Sequence, residues 1–243
     1  MDSLGSYLLL ILLGSLPSLI WLGYWLRKDC HPEPKALITK VLLLGIMLSP
    51  LAIAAQLLLV RFVSSQFGLD AEAFSDSPGF FLWAALVEET VKWLVVWLIV
   101  LRSPEFDEPV DAMVYMLTAA LGFAAMENIL VINRVLPDGI GATIGIWGLR
   151  FAGATLLHAL SSALVGYFIA LGWFYFSHRK ALFAVGLALA TVFHWAFNLF
   201  ISQMHQSVSL LFSTLLLMGM AFCISLLFDK IKERDSLVRA NVC

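Results

Sequence analysis

Charged residues are scarce in this sequence. Asp, Glu, Lys and Arg supply 13% of its 243 residues, about half the share usual in a soluble domain. That scarcity excludes an ordinary water-facing surface over most of the chain, and 61% hydrophobic residues place it in a membrane class. Cysteine is also rare. Cys30, Cys223 and Cys243 show no paired spacing and no CxxC, which excludes a disulfide framework and a zinc knuckle. The net charge of −2, with no basic run interleaved with aromatics, offers no nucleic-acid surface. No segment alternates in polarity over about ten residues, which disfavours a β-barrel. Lys and Arg are missing before the first apolar run, and that run is too long for a cleaved signal, so it is expected to remain as a transmembrane helix.

What the chain has instead is long apolar segments. A hydrocarbon core about 30 Å thick needs roughly 20 apolar residues, and about seven segments qualify. They are residues 6–26, 36–63, 79–101, 110–135, 150–176, 181–203 and 207–228. Pro17 and Pro50 fall inside the first two, where a bilayer helix tolerates a kink. The expected fold class is therefore all-α, a polytopic transmembrane helical bundle. Orientation follows from Lys and Arg in short loops. Arg27, Lys28, Lys35 and Lys40 follow the first span, Arg179 and Lys180 the fifth, and Lys230, Lys232, Arg234 and Arg239 the last. The opposite loops hold Asp70, Glu72 and Asp76, with Arg134 and Arg150 as counter-examples. The N-terminus is thus expected outside and the C-terminus in the cytoplasm. A single membrane domain is expected over residues 1–228, with a charged tail at 229–243, frayed or a short helix. The glycine-rich stretch 138–149 reads as a re-entrant loop, and the acidic loop 103–109 as a solvated turn.

Ionisable residues inside the spans are confined to the third through sixth: Glu88, Glu89, Lys92, Glu127, His158 and His194. Each costs ~2.5–3.5 kcal/mol on insertion scales, so each is a functional hypothesis by default. Counted from the outer edge at ~1.5 Å per residue, Glu88 and His194 lie roughly 14 Å deep, Glu127 and His158 roughly 12 Å. The four meet in one layer although adjacent spans run in opposite directions. Glu88 and Lys92 stand one turn apart, in the favourable order for an ion pair. Glu89 lies ~100° round the helix from Glu88, and two adjacent carboxylates in a low dielectric suit one acid and one base. His158 and Ser162 share a face, as do Thr191, His194 and Asn198, and Asn128 flanks Glu127. Taken singly, a membrane histidine or asparagine is more often an interhelical tie; the combination is what points to chemistry.

These residues sit in motifs that resemble the PrsW family, within the larger clan that includes the CAAX prenyl proteases. The likeness is carried by His31-Pro32-Glu33-Pro34-Lys35, Glu88-Glu89-Thr90-Val91-Lys92 (EExxK), Asp107-Glu108-Pro109-Val110-Asp111 with Tyr115, and Gly122-Phe123-Ala124-Ala125-Met126-Glu127-Asn128. It continues through Arg150, His158-Ala159, Gly166-Tyr167 and His194-Trp195-Ala196-Phe197-Asn198 (HxxxN). Ala112 and Met116 stand where glycines are expected, and Leu156-Leu157 where many members have Pro-Gly. The resemblance implies an intramembrane protease of the bacterial cytoplasmic membrane. Its substrate would be a single-span membrane protein of the anti-sigma factor kind, whose cleavage starts a stress response. It implies catalytic roles for Glu88, Glu89, Glu127, His158, His194 and Asn198, supported by Lys92, Asn128, Asp111, Tyr115 and Ser162.

Amide hydrolysis needs an activated water, a proton for the leaving amine and donors for the oxyanion. Glu88 or Glu89 is expected as base, with His158 helping to hold the water. His194 and Asn198 would donate to the oxyanion, and Glu127 would position a histidine or act as a second acid. This scheme needs no cofactor. A zinc version is the competitor, with two histidines, a carboxylate and Asn198 as ligands and a carboxylate as base. Two readings outside proteolysis use the same cluster, a proton-coupled transporter and a non-catalytic membrane scaffold.

Overall fold

The computed structural model describes residues 3–28 and 31–239. Among them every regular element is helical. The long helices are α1 (Ser3–Trp25), α2 (Lys35–Phe67), α4 (Pro78–Ile99), α5 (Asp111–Val135), α7 (Ala154–Phe174), α8 (Arg179–Gln203) and α9 (Gln206–Arg239). Two shorter ones are α3 (Ala71–Ser75) and α6 (Ile140–Ala152). Cys30 and Cys243 lie outside the described residues, and Cys223 is a free, exposed thiol.

Local chemistry sets the ends. Ser77 caps α4, its Oγ accepting the Phe80 N–H at 3.2 Å, and Pro78 opens the helix where a missing N–H costs nothing. α2 stops at Gly68, which takes the left-handed conformation (φ 64°) that a side chain disfavours.

Among the described residues six helical segments are long and apolar enough to cross a membrane: Tyr7–Lys28, Lys35–Phe67, Asp111–Asp138, Ile140–Phe174, Phe176–Gln203 and Gln206–Leu237. The expected third span is α4. Its 22 residues reach about 33 Å, and Glu88, Glu89 and Lys92 put three charged side chains at its middle. It packs against α2, α5, α7 and α8, which cover those charges. α5 is the central helix: residues 111–125 are buried without exception, with α1, α2 and α7 around it. Close approach there depends on glycine. A Cβ at Gly122 would stand 3.2 Å from the Gly45 Cα of α2, and one at Gly166 of α7 would stand 2.6 Å from the Met113 Cα. Ala112 and Met116, at the positions where glycines were expected, are fully buried core residues. The outer faces of α2 and α9 present Leu58, Phe62, Met218 and Phe222 outward, as a lipid-facing surface requires.

Two expectations change. The stretch 138–149 is not an irregular loop: it folds mainly as α6, because single glycines cost a helix only ~1 kcal/mol each and tertiary contacts repay it. Trp147 Nε1 donates to the Leu13 carbonyl at 2.9 Å, and Trp21 Nε1 donates to that of Phe151 at 2.9 Å, tying α6 to α1. The chain then breaks at Gly153 (φ −103°, ψ −93°), so the expected fifth span is the last part of α6 plus α7. Nor is the tail frayed through its described part: α9 runs without a break across position 228 to Arg239. Lys232 Nζ donates to the Lys28 carbonyl at 3.1 Å, and the Arg234 guanidinium lies over Phe174 and Tyr175 at 4.6 and 4.7 Å. These contacts gather the basic segments after α1, α7 and the apolar part of α9 at one end of the bundle.

Candidate active site

α4, α5, α7 and α8 bring the ionisable residues of the membrane interior into one cluster. Glu89 is its most enclosed member, with no exposed surface. One of its oxygens, Oε1, receives Lys92 Nζ at 2.7 Å, Ser161 Oγ at 2.9 Å and His194 Nδ1 at 3.0 Å; the other, Oε2, receives Ser162 Oγ at 2.7 Å. A carboxylate with this many donors is stabilised as an anion and has no lone pair directed at a substrate. Its bond from Nδ1 fixes His194 so that Nε2 faces away from it.

That nitrogen faces Glu88 Oε2 across 3.5 Å. Glu88 is buried, and its Oε1 accepts from Gln56 Nε2 at 3.0 Å, while Oε2 has no hydrogen-bond partner among the described residues. An unpartnered carboxylate oxygen in such a place is costly unless something binds it. Lys92 donates to His158 Nδ1 at 2.8 Å, so His158 carries its proton on Nε2 and donates it to Glu127 Oε2 at 2.9 Å. The His158 and His194 rings meet edge to face at 5.0 Å. Glu127 also receives Arg150 Nη2 at 3.1 Å. Arg150 Nε donates to Asn128 Oδ1 at 2.5 Å, and Asn128 Nδ2 to Thr155 Oγ1 at 3.0 Å. With 23% of its side chain exposed, Glu127 marks the side on which the cluster opens.

Asn198 stands one turn beyond His194 on α8, half-buried, and its side-chain amide has no partner among the described residues. Thr191, one turn before His194, is buried with its Oγ1 unpartnered. Thus Glu88, Glu89, Lys92, Glu127, Asn128, His158, Ser162 and His194 come together, with Asn198 beside them. Asp111 and Tyr115 do not join this cluster. They lie at the other end of α5, ~18–24 Å from Glu127 along the helix. There Tyr115 OH donates to Glu33 Oε2 at 2.5 Å, and Asp111 Oδ2 accepts the backbone N–H of Asp107 and Glu108 at 3.1 and 2.8 Å. Burial pushes the Glu33 carboxyl above its ordinary range.

Sequence reasoning passed over Gln56, Ser161 and Thr155, and placed Arg150 in the motif set and among the outer-side cations without naming its partner. Gln56 had a signal, an amide inside the apolar run of α2. The pairing of Arg150 with Glu127 had none, since it is fixed only by the fold of α6 against α5.

A divalent ion fits this donor set. Glu88, His158 and His194 each present a ligand atom, all within 4.8 Å of one another. His194 has the carboxylate-held Nδ1 that metal-binding histidines usually have, and Glu88 Oε2 is left open. Charge agrees: the carboxylates of Glu88, Glu89 and Glu127 exceed the fixed cations Lys92 and Arg150, an excess that a proton or a metal ion offsets.

Comparison with known proteins gives a consistent answer. Proteases named PrsW are similar to this chain in several bacteria. The one from Geobacillus kaustophilus is 32% identical over 191 residues, 76% of this chain and 78% of that protein. The one from Oceanobacillus iheyensis is 29% identical over 186 residues, covering 76% and 79%. The one from Clostridioides difficile is 34% identical over 142 residues, covering 56% and 57%. No solved structure matches significantly. The family model described as "PrsW family intramembrane metalloprotease" matches residues 33–227, a stretch that holds every member of the buried Glu–His cluster, and the chain belongs to that family.

Proposed function

We propose that this protein hydrolyses a peptide bond of a single-span membrane protein, of the anti-sigma factor kind, in the bacterial cytoplasmic membrane, with Glu88 as the base that activates water. The observation that carries this reading is the open Oε2 of buried Glu88 facing His194 Nε2. Glu89, which the sequence offered as an equal candidate, is better suited to orienting His194, since all its donors are in place. Glu88 takes a proton from the water that attacks the carbonyl and returns it to the departing amine. Gln56 holds the other oxygen of Glu88 and fixes the direction of Oε2. The free amide of Asn198 donates to the oxyanion, beside His194. Glu127 holds His158 through Nε2, and Arg150 holds Glu127. Lys92 completes the Glu89–His158 link.

Glu88, His158 and His194 are the residues that would hold a metal ion, which when bound supplies Lewis-acid polarisation of the water and the carbonyl. For His158 this requires one nitrogen to release its present partner, Lys92 or Glu127.

The test is incubation of purified protein with candidate single-span substrates, wild type against Glu88→Gln. Loss of cleavage by ~10³-fold or more with normal insertion is expected; wild-type turnover by the variant refutes the assignment. Metal analysis and chelation of the same samples separate the two chemistries. Stoichiometric zinc lost in His194→Ala supports the metal-bearing form, and full activity after exhaustive chelation excludes it.

A further inference from the structure

At the basic end of the bundle lies a cavity of about 740 Å³, between the last turns of α4 and α7 and the first turn of α8. Its walls are aromatic: Trp93 and Trp97 of α4, Trp173 of α7, Phe183 of α8, and Phe106 from the loop after α4. Tryptophans at a helix end mark the level of the lipid headgroups. Its rim carries Arg102, Arg179 and Lys180, and among the described residues no carboxylate lines it. None of these cations has an ion pair among the described residues. Arg102 lies 4.7 Å over the Trp97 ring and Arg179 4.1 Å over Phe176. Stacking fixes each guanidinium plane and leaves its N–H groups for another acceptor. α8, 25 residues long, starts at this rim, and His178 gives it no side-chain cap. The Arg179 N–H is taken by the Phe176 carbonyl, and the positive end of the helix dipole adds potential at the same point.

We propose that this cavity binds one acidic phospholipid, with the phosphate on Arg102, Arg179, Lys180 and the start of α8, and the upper acyl chain between the tryptophans. Three observations select that occupant. A cavity of this size with aromatic walls needs an apolar filling. A rim of unpaired cations needs an anion. A tryptophan-lined site at a helix end faces the leaflet, where both parts come joined in one molecule. The site is separate from the Glu–His cluster: Lys92 turns inward to Glu89 while its neighbour Trp93 turns to the cavity. A lipid here would brace the helix that carries Glu88 and Glu89.

The test uses native mass spectrometry of the full-length protein with phosphatidylglycerol or phosphatidylcholine. The wild type should retain one phosphatidylglycerol in preference to phosphatidylcholine. The variant Arg102→Gln, Arg179→Gln, Lys180→Gln should lose that preference, at roughly fivefold in affinity per cation removed. A control with equal loss of charge at the same end, Arg27→Gln, Lys40→Gln, Lys230→Gln, should keep it. Brominated phosphatidylglycerol should quench tryptophan fluorescence of the wild type more than brominated phosphatidylcholine, and Trp97→Leu should reduce the difference. Equal retention of the two lipids, or equal loss in the control variant, overturns the proposal. Displacement of the lipid by millimolar glycerol 3-phosphate or inorganic phosphate also overturns it, because the site would then take a soluble phosphate.

Discussion

Replacing Lys92 by Met removes the cation from an ion pair that has no solvent exposure on either side. Glu89 would keep Ser161, Ser162 and His194 as donors but lose the lysine ammonium at 2.7 Å. Removing one member of a buried pair costs ~3–5 kcal/mol. With the other donors still in place, the lower end applies, about 3 kcal/mol. Glu89→Gln should cost a similar amount, because it leaves the Lys92 charge buried among neutral partners, His158 Nδ1 at 2.8 Å and the Phe123 ring at 4.9 Å. The double variant Lys92→Met, Glu89→Gln contains no unpaired charge there. It should therefore be less destabilised than the sum of the singles by ~2–3 kcal/mol. Unfolding in mixed micelles against the mole fraction of a denaturing detergent, followed by tryptophan fluorescence, measures all four proteins of the cycle. Additivity within ~0.5 kcal/mol would refute the argument that the two charges compensate each other.

Further outcomes concern single features. Asn198→Ala should lower kcat ~10²–10³-fold with little change in KM, as for a lost oxyanion donor, and a matching rise in KM would instead make it a substrate-binding group. Gly122→Ala should destabilise the bundle by ~1–3 kcal/mol, because the new Cβ meets α2 backbone at Gly45 and Leu42; an unchanged unfolding midpoint would show that the helices can part freely. Glu33 has a carboxyl raised by burial, so the folded state favours its protonated form. Its contribution to anchoring the loop is full below the ordinary carboxyl value and is lost as pH rises through the raised value. Hydrogen-exchange protection of residues 31–35 should fall over that window in the wild type and stay level in Glu33→Gln.

Membrane character and helical class were legible in the sequence because the bilayer imposes them locally: each span must be apolar and must satisfy its own backbone. That Glu88, Glu127, His158 and His194 stand at one level was legible for the same reason, since a fixed rise per residue converts position into relative height. Height alone does not say which helices are neighbours. Only tertiary packing, allowed by glycines at the α2–α5 and α5–α7 crossings, turned those side chains toward one another. It also divided the paired glutamates, giving Glu89 to Lys92, Ser161, Ser162 and His194 and leaving Glu88 open. Gln56, far away in sequence, entered the site because α2 lies along α4. Arg150 found Glu127 because α6 folds back before the break at Gly153. Asp111 and Tyr115, equal members of the motif set by sequence, were sent to the opposite end of α5. The sequence by itself determined the kind of solvent, the common level of those four charges and the family pattern, all of which depend on residues near each other in the chain. The tertiary structure decided who pairs with whom, because partner choice depends on helix rotation and adjacency, and these are set by packing between distant segments.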